Sequence, residues 1–144
     1  MKKIFCALAV VLLLGLIPGC CNLCGAEQPV AQKKHPLYGS WTIKVLPSAT
    51  AKKIKPAPNA AITFEQGKVY GCAGDNRFFG NLKINGRKLS FSHMGMTRMM
   101  GPNAAYEGLF MEALNQVTQF VVDGNMNLLN KDGKTVMVLK PKSK

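Results

Sequence analysis

The chain has 144 residues and a formal net charge of +12, from 19 lysines and arginines against 7 aspartates and glutamates. Its length allows one domain with one hydrophobic core and excludes an architecture of several domains. The strongly basic balance favours anionic partners on electrostatic grounds.

The N-terminal residues predict export. Lys2 and Lys3 form a short basic start, and residues 4–17 then contain no charged or strongly polar residue. A membrane-spanning helix needs roughly 20 apolar residues, whereas this run already ends at Pro18 and Gly19. We therefore predict a signal peptide over residues 1–19.

Residues 17–20 (IPGC), at the end of the predicted signal and including the next residue, Cys20, are similar to the bacterial lipobox. Cys20 would then become the lipidated N-terminus of the mature chain. The alternative is an ordinary signal cleaved near Gly25, which would release a soluble protein. The residue after Cys20 is Cys21 and not an aspartate. In a Gram-negative host this resembles the sorting signal of an outer-membrane lipoprotein and not that of an inner-membrane one. We expect an outer-membrane lipoprotein that faces the periplasm.

Residues 20–36 are interpreted as a flexible tether after the lipidated cysteine, because they are polar, contain two prolines and show no periodicity. Cys21 and Cys24 lie in this segment, and the histidines His35 and His93 are not spaced to complete a zinc site with them. We predict no metal and no cofactor.

Alternating apolar and polar residues predict a first strand from Trp41, with Trp41, Ile43 and Val45 on one face. Residues 47–58 carry three prolines and are interpreted as a loop. Gly71–Gly80 (GCAGDNRFFG) is interpreted as a structured loop or bulge because it is rich in glycine. The other predicted strands are 61–65, 68–72, 81–84, 89–92, 119–122, 126–129 and 135–139, with hairpin turns at Gln66-Gly67 and Asn85-Gly86.

One helix is predicted, over Ala104–Gln119, with Asn103 as its N-cap and Glu107 in its first turn. Its apolar residues recur at three-and-four spacing on one stripe: Tyr106, Leu109, Phe110, Ala113, Leu114 and Val117. Such a stripe covers a sheet, and the short turns suit antiparallel pairing. We predict an α+β domain over residues 37–141, in which a curved, mainly antiparallel, half-barrel-like sheet packs against one helix.

Five features of this domain follow one another in a recognisable order. They are Trp41, then Gly71–Gly80, then Thr97–Gly101 (TRMMG), then Glu107–Val117 (EGLFMEALNQV), and then the closing strands over 128–139. In this order they resemble the META domain, also called the HslJ-like domain. The resemblance implies a non-catalytic envelope protein with a binding or structural role at the cell surface, linked to envelope stress.

The META pattern carries two cysteines at positions where this chain has Asp75 and Gly101. If that pair forms a disulfide in relatives, this chain lacks roughly 3 kcal/mol of chain-entropy stabilisation. It must then hold the two segments together by packing. The residues expected to form a ligand or partner surface are Asp75, Asn76, Arg77, Phe79, Thr97 and Arg98.

No catalytic residue is predicted. A Cys-His pair of Cys72 with His93 would need an orienting residue that the sequence does not identify. Cys72 is therefore interpreted as a small buried strand residue, and His93 as structural. Asp75 and Glu107 could form a carboxylate pair, but an aspartate in a glycine-rich loop more typically bonds nearby amides. We expect the protein not to be an enzyme.

Four methionines lie close together, at positions 94, 96, 99 and 100. Their thioether sulfurs could bind Cu(I), or the side chains could fill an irregular core or form an adaptable contact surface. We favour packing of Met94, Met96 and Met99 around Gly71–Gly80. We expect no Cu(I) binding, because alternating strand positions send neighbouring side chains to opposite faces.

The expected partners are the membrane, through the lipid anchor, and an anionic envelope polymer or a protein. Nucleic acid is not expected, because the signal takes the chain away from it, and we expect a monomer. An alternative function is a binder or inhibitor of a secreted hydrolase that presents Gly71–Gly80 or residues 47–58.

Overall fold

The computed structural model describes residues 35–143, which form an antiparallel barrel with two helices. The strands are β1 Gly39–Val45, β2 Ala61–Glu65, β3 Lys68–Cys72, β4 Arg77–Asn85, β5 Lys88–Met96, β6 Gln119–Asp123, β7 Asn125–Leu129 and β8 Thr135–Pro141. The helices are α1 Pro47–Ala51 and α2 Ala104–Gln116. The predicted signal peptide, Cys20 and nearly all of the tether lie outside the described residues.

The eight strands follow one another around the barrel in sequence order, each antiparallel to the next, and β8 closes on β1. The predicted α+β class with an antiparallel sheet is thus confirmed. The half-barrel expectation is corrected, since the sheet closes into a barrel, although β5 pairs with β6 only at Lys88 and Gln119.

Glycines form the two predicted hairpin turns. Gly67, between β2 and β3, has a φ of 75°, and Gly86, between β4 and β5, has a φ of 59°. Both values lie in the left-handed region that glycine adopts without steric cost. The hairpins predicted at Gln66-Gly67 and Asn85-Gly86 are therefore confirmed.

The β4–β5 pair contains a bulge. Between the register pairs Phe79–Gly95 and Asn81–Ser92, one residue of β4 faces two residues of β5, of which the first is His93. The φ of His93 is 52°, which is uncommon for a residue that carries a Cβ. Because a bulge bends its strand and re-aims a side chain, the direction of His93 is set by this irregularity.

Two segments predicted as loops are largely regular. Residues 47–58 contain α1, which starts at Pro47, a residue suited to the first turn of a helix. Within Gly71–Gly80 only residues 73–76 lie outside β3 and β4. Gly71 is a glycine within β3 because β2 passes close to it. A Cβ at this position would overlap the backbone of Ala61.

The prediction that Trp41, Ile43 and Val45 lie on one face fails at Val45, which is exposed while Trp41 is buried. The register of β1 with β8 shifts between Ile43 and Val45, and this shift interrupts the two-residue period of the strand. Trp41 is buried as predicted, and its indole Nε1–H donates to the Leu37 carbonyl at 3.0 Å.

Helix α2 buries the whole predicted stripe, from Tyr106 to Val117, in the common core. The ring centroid of Phe110 lies 5.2 Å from that of Phe78 on β4. Asn103 precedes the helix as predicted, but its side chain makes no capping hydrogen bond. Neither of the helices within residues 35–143 has the length and apolarity needed to span a membrane.

Candidate ligand-binding face

The loop between β3 and β4 is held by a buried carboxylate on α2. Glu107 Oε1 accepts hydrogen bonds from the backbone N–H groups of Asp75 and Asn76, both at 2.5 Å, and Oε2 accepts from Asn76 Nδ2 at 2.8 Å. Glu107 and Asn76 are both buried. We call Asp75, Asn76, Thr97, Asn103 and Glu107 the polar clamp.

All the donor and acceptor groups of the Asn76 side-chain amide form hydrogen bonds within the domain. Its Oδ1 accepts from the backbone N–H of Met99 at 2.6 Å and from Thr97 Oγ1 at 2.9 Å. Its Nδ2 donates to the Met99 carbonyl at 2.9 Å in addition to Glu107. Since an amide side chain offers two donor hydrogens and two acceptor lone pairs, none is left for a ligand.

Asp75 connects the same loop to the segment before α2. Its Oδ2 accepts from the backbone N–H of Asn103 at 2.8 Å, and its Oδ1 accepts from Asn103 Nδ2 at 2.7 Å. Asn103 therefore bonds to Asp75 in place of capping its helix. A Cβ on Gly101 would overlap the Asp75 carboxylate, so the two positions at which the META pattern carries cysteines are in contact here.

A different set of side chains lies on the outside of the barrel along β4. Arg77, Phe79, Asn81 and Lys83 alternate with more buried residues and are all exposed. Six residue steps along a strand span about 20 Å. The outer row of β4 thus presents, in order, a cation, an aromatic ring, an amide and a second cation.

Phe79 is 59% exposed and forms an aromatic shelf with Tyr70 of β3, its register partner. On the other side Phe79 pairs with Gly95, where a Cβ would lie 2.7 Å from Phe79 Cζ. The ring thus lies over a position without a side chain. The Tyr70 hydroxyl donates to Glu65 Oε1 at 2.6 Å, and this hydrogen bond raises the pKa of Tyr70.

A groove of about 340 Å³ adjoins this shelf. It is lined by Lys68, Val69, Tyr70, Phe79, Gly80, Asn81 and His93. Asn81 Nδ2 and His93 Nδ1 lie 3.2 Å apart, within hydrogen-bonding distance. This bond does not use Asn81 Oδ1 or His93 Nε2. The bulge thus places two polar groups beside the two aromatic rings.

The strands around the groove are exclusively basic. Strands β3, β4 and β5 and the turn between β4 and β5 contain no carboxylate. Their cations are all exposed: Lys68, Arg77, Lys83, Arg87 and Lys88. Glu65, on neighbouring β2, accepts the Tyr70 hydroxyl hydrogen bond. We call the outer side of β3–β5 the basic face, and its charge attracts anions.

The family model described as the META domain matches residues 35–143. The chain belongs to the META-domain family. No curated protein matches it. Solved structures share its fold, among them an NMR structure of a protein from Burkholderia xenovorans, with 24% identity, a TM-score of 0.52, and 75% of this chain and 81% of that chain covered.

A second NMR structure of a protein has 24% identity and a TM-score of 0.54 over 72% of this chain and 89% of its own. The crystal structure of a DUF4847 family protein from Bacteroides vulgatus has 20% identity and a TM-score of 0.53 over 75% of this chain and 95% of its own. At these identities the likeness concerns the fold alone.

The six residues predicted for a ligand or partner surface do not lie together in the META domain. Arg77 and Phe79 lie on the basic face, and Arg98 is exposed in the segment after β5. The other three, Asp75, Asn76 and Thr97, belong to the polar clamp, where their side-chain oxygens are bonded within the domain. A binding role for any of the six stays a prediction.

Sequence reasoning missed four residues of the groove: Lys68, Tyr70, Asn81 and His93. Asn81 follows Phe79 at the two-residue spacing of one strand face. The pairing of Tyr70 with Phe79 was not predictable in this way, because Gly71–Gly80, which includes Phe79, is interpreted from sequence as a loop and not as the start of β4. The bulge that re-aims His93 leaves no comparable signal, because its αL residue is not a glycine.

Cys72 is only half-buried, contrary to the expected buried position, because it pairs with exposed Arg77 at the end of β3. Its thiol donates to the Gly74 carbonyl at 3.0 Å. His93 is exposed, so it is not a core residue. No group of three or more His, Cys, Asp or Glu side chains within residues 35–143 could hold a metal ion.

The interpretation of Met94, Met96 and Met99 as core residues is wrong for Met96 and Met99. Met94 packs against the core, whereas Met96 is partly exposed, Met99 is 60% exposed and Met100 is fully exposed. Strand β5 ends at Met96, and the segment that follows is held by its backbone at Asn76. Its side chains are therefore free to face solvent.

Proposed function

We propose that this META-domain protein is an exported, lipid-anchored and non-catalytic binding protein of the cell envelope. Its location rests on the export signal of residues 1–19 and on Cys20. Its binding role rests on one observation, the exposed aromatic shelf in the middle of the basic face. Exposed apolar surface rimmed by polar groups is typical of interaction sites.

The polar clamp supports a non-catalytic role. Asp75 and Glu107 are the carboxylates that could have worked as an acid and a base, yet each accepts hydrogen bonds from amides of the domain. A general acid or base must instead be free to exchange a proton with a substrate. Both carboxylates thus stabilise a loop, and the proposal needs no reaction from them. A link to envelope stress enters the proposal through the META resemblance alone.

Metabolic labelling with an alkyne fatty acid tests the anchor. We expect the full chain to carry the label and to fractionate with outer membranes. The Cys20→Ala variant should lose the label and keep its signal uncleaved, while Cys21→Ala, the matched control, keeps the label. A mature N-terminus near Glu27 without lipid mass would contradict the proposal and support a soluble exported domain.

A second candidate function, a binder or inhibitor of a secreted hydrolase, is favoured by a different observation. Met99 and Met100 are exposed in the segment between β5 and α2, and exposed methionines form adaptable protein contacts. Gly71–Gly80 is a poorer candidate, because most of it lies in the sheet. A Met99→Ser, Met100→Ser variant should then fail to recover a stoichiometric hydrolase that the parent chain recovers from envelope extract. Equal recovery by both chains would exclude contact through this segment.

A further inference from the structure

We propose that the basic face binds an acidic polysaccharide in extended form along β4. The inference rests on the proposed envelope function and adds the chemical class of the ligand. It requires a surface that stacks on sugar rings, hydrogen-bonds hydroxyl groups and neutralises repeated negative charges. Residues of three adjacent strands supply these features.

The aromatic shelf supplies the stacking surface. An aromatic ring has a negative face, against which the weakly positive C–H groups of a pyranose ring pack. Phe79 suits this contact because it lies over Gly95 and remains 59% exposed. Tyr70 lies opposite it in the register, and its hydroxyl is bonded to Glu65. The shelf is therefore arranged before any ligand arrives.

The bulge supplies the hydrogen-bonding groups. Asn81 and His93 are bonded to each other and line the groove beside the shelf. His93 has a positive φ of 52°, and sparsely populated backbone conformations of this kind cluster at functional sites. The pair leaves one amide oxygen and one ring nitrogen outside its own bond. Sugar hydroxyls, which both donate and accept, match these two atoms.

The charges determine that the polysaccharide is acidic. Arg77 and Lys83 lie at the two ends of the outer row of β4, about 20 Å apart by strand geometry, and Lys68 lines the groove between them. An arginine can bind a carboxylate through two parallel hydrogen bonds. A chain with negative charges at intervals could thus meet a cation on each side of the ring that stacks on Phe79.

Binding of the purified full chain in detergent to uronic-acid oligosaccharides from alginate tests the inference. Comparison ligands of matched length are neutral dextran, polyglutamate and oligothymidine. We expect alginate to bind most tightly, with an affinity that falls as salt is raised. Phe79→Ala should weaken alginate binding about tenfold, which is at the lower end of the effect of removing an aromatic ring that stacks on a nucleic-acid base. Val122→Ala on β6 is the control, an exposed apolar residue outside the basic face.

His93→Gly separates a ligand role from a structural one. Glycine adopts the observed φ without steric cost, so the variant should fold at least as stably as the parent chain. We nevertheless expect weaker alginate binding, because the imidazole is gone. Unchanged alginate affinity in both His93→Gly and Phe79→Ala would overturn the inference.

The comparison ligands decide the class. Equal binding of polyglutamate would show that charge alone attracts the ligand, and equal binding of dextran would show that charge plays no part. Tighter binding of oligothymidine would replace the polysaccharide with a nucleic acid. Each of these results overturns the inference. Because binding is measured on purified protein, it can fail while Cys20 labelling succeeds, or succeed while labelling fails.

Discussion

The polar clamp and the basic face meet at the start of β4, where Asn76 belongs to the clamp and the next residue, Arg77, belongs to the basic face. Their side chains nevertheless have opposite environments. In the clamp, buried side chains bond one another and the backbone of a loop. On the basic face, two aromatic rings and five cations remain exposed to water. We therefore expect the stability of the domain to depend on the clamp, and substitutions on the basic face to leave it nearly unchanged.

The largest effect is expected from removing the centre of the clamp. Glu107→Ala leaves two backbone N–H groups and the Asn76 amide without their acceptor. Each unsatisfied buried donor costs about 1 to 3 kcal/mol, so we expect the free energy of unfolding to fall by about 3 to 5 kcal/mol. Urea unfolding measures this, with the exposed Glu112→Ala of the same helix as control. A fall no larger than that of the control would show that the clamp does not stabilise the loop.

A disulfide between positions 75 and 101 would test the contribution of the polar clamp to stability, because Asp75 and Gly101 are in contact. In a Cys72→Ser background, the Asp75→Cys, Gly101→Cys double variant should form a disulfide. Cross-linking these positions restricts the unfolded chain. After the lost Asn103 contacts are subtracted, we expect a net gain of about 2 kcal/mol in oxidised over parent protein. Peptide mass analysis and urea unfolding with and without reductant measure it. Free thiols at positions 75 and 101 in the folded double variant would contradict this contact.

Tyr106 lies directly before Glu107 on α2 and contrasts with the residues of the polar clamp, whose buried polar groups are hydrogen-bonded. Its buried hydroxyl has no hydrogen-bond partner among the residues described, and burial raises its pKa to about 12. Tyr106→Phe should therefore gain about 1 kcal/mol at neutral pH. The unfolded chain loses this proton near pH 10 while the folded chain keeps it, so parent stability falls as pH rises from 10 towards 12.

Urea midpoints between pH 8 and pH 11 check both parts of this prediction. The Tyr106→Phe variant lacks the titrating hydroxyl, so its stability should fall less steeply above pH 10 than that of the parent. Identical slopes in the two proteins, or a loss of stability at neutral pH, would show that the hydroxyl has a partner in solution.

Local pattern was enough to predict α2 and the hairpin turns, because a helical stripe or a turn glycine depends on near neighbours in sequence. Closure of the barrel could not be predicted in the same way. It requires β8 to pair with β1, about 100 residues away in the chain, and the required twist and stagger are collective properties of the sheet. Helix α1 was missed because it is too short to show a period.

The candidate site shows the same difference between features set by neighbouring residues and features set by distant ones. Phe79 and Arg77 are singled out through the META resemblance, although their segment is interpreted from sequence as a loop and not as the start of β4. The roles of Asp75 and Asn76 could not be predicted, because Glu107 lies about 30 residues further along the chain. Exposure of Met99 likewise follows from its backbone bonds to Asn76. Chemistry assembled across elements is thus not visible in a local sequence pattern.

The smallest effect is expected at the basic face itself. Phe79→Ala removes a ring that is 59% exposed, so the free energy of unfolding should change by no more than about 0.5 kcal/mol. Its neighbour Phe78 is only 1% exposed and touches Phe110, and Phe78→Ala should cost about 3 to 5 kcal/mol through the cavity that it leaves. Urea unfolding of the two adjacent variants compares the inner and outer sides of one strand. If Phe79→Ala proved nearly as destabilising as Phe78→Ala, the exposed ring would be a structural residue, and the separation between the region that stabilises the domain and the region that binds would fail.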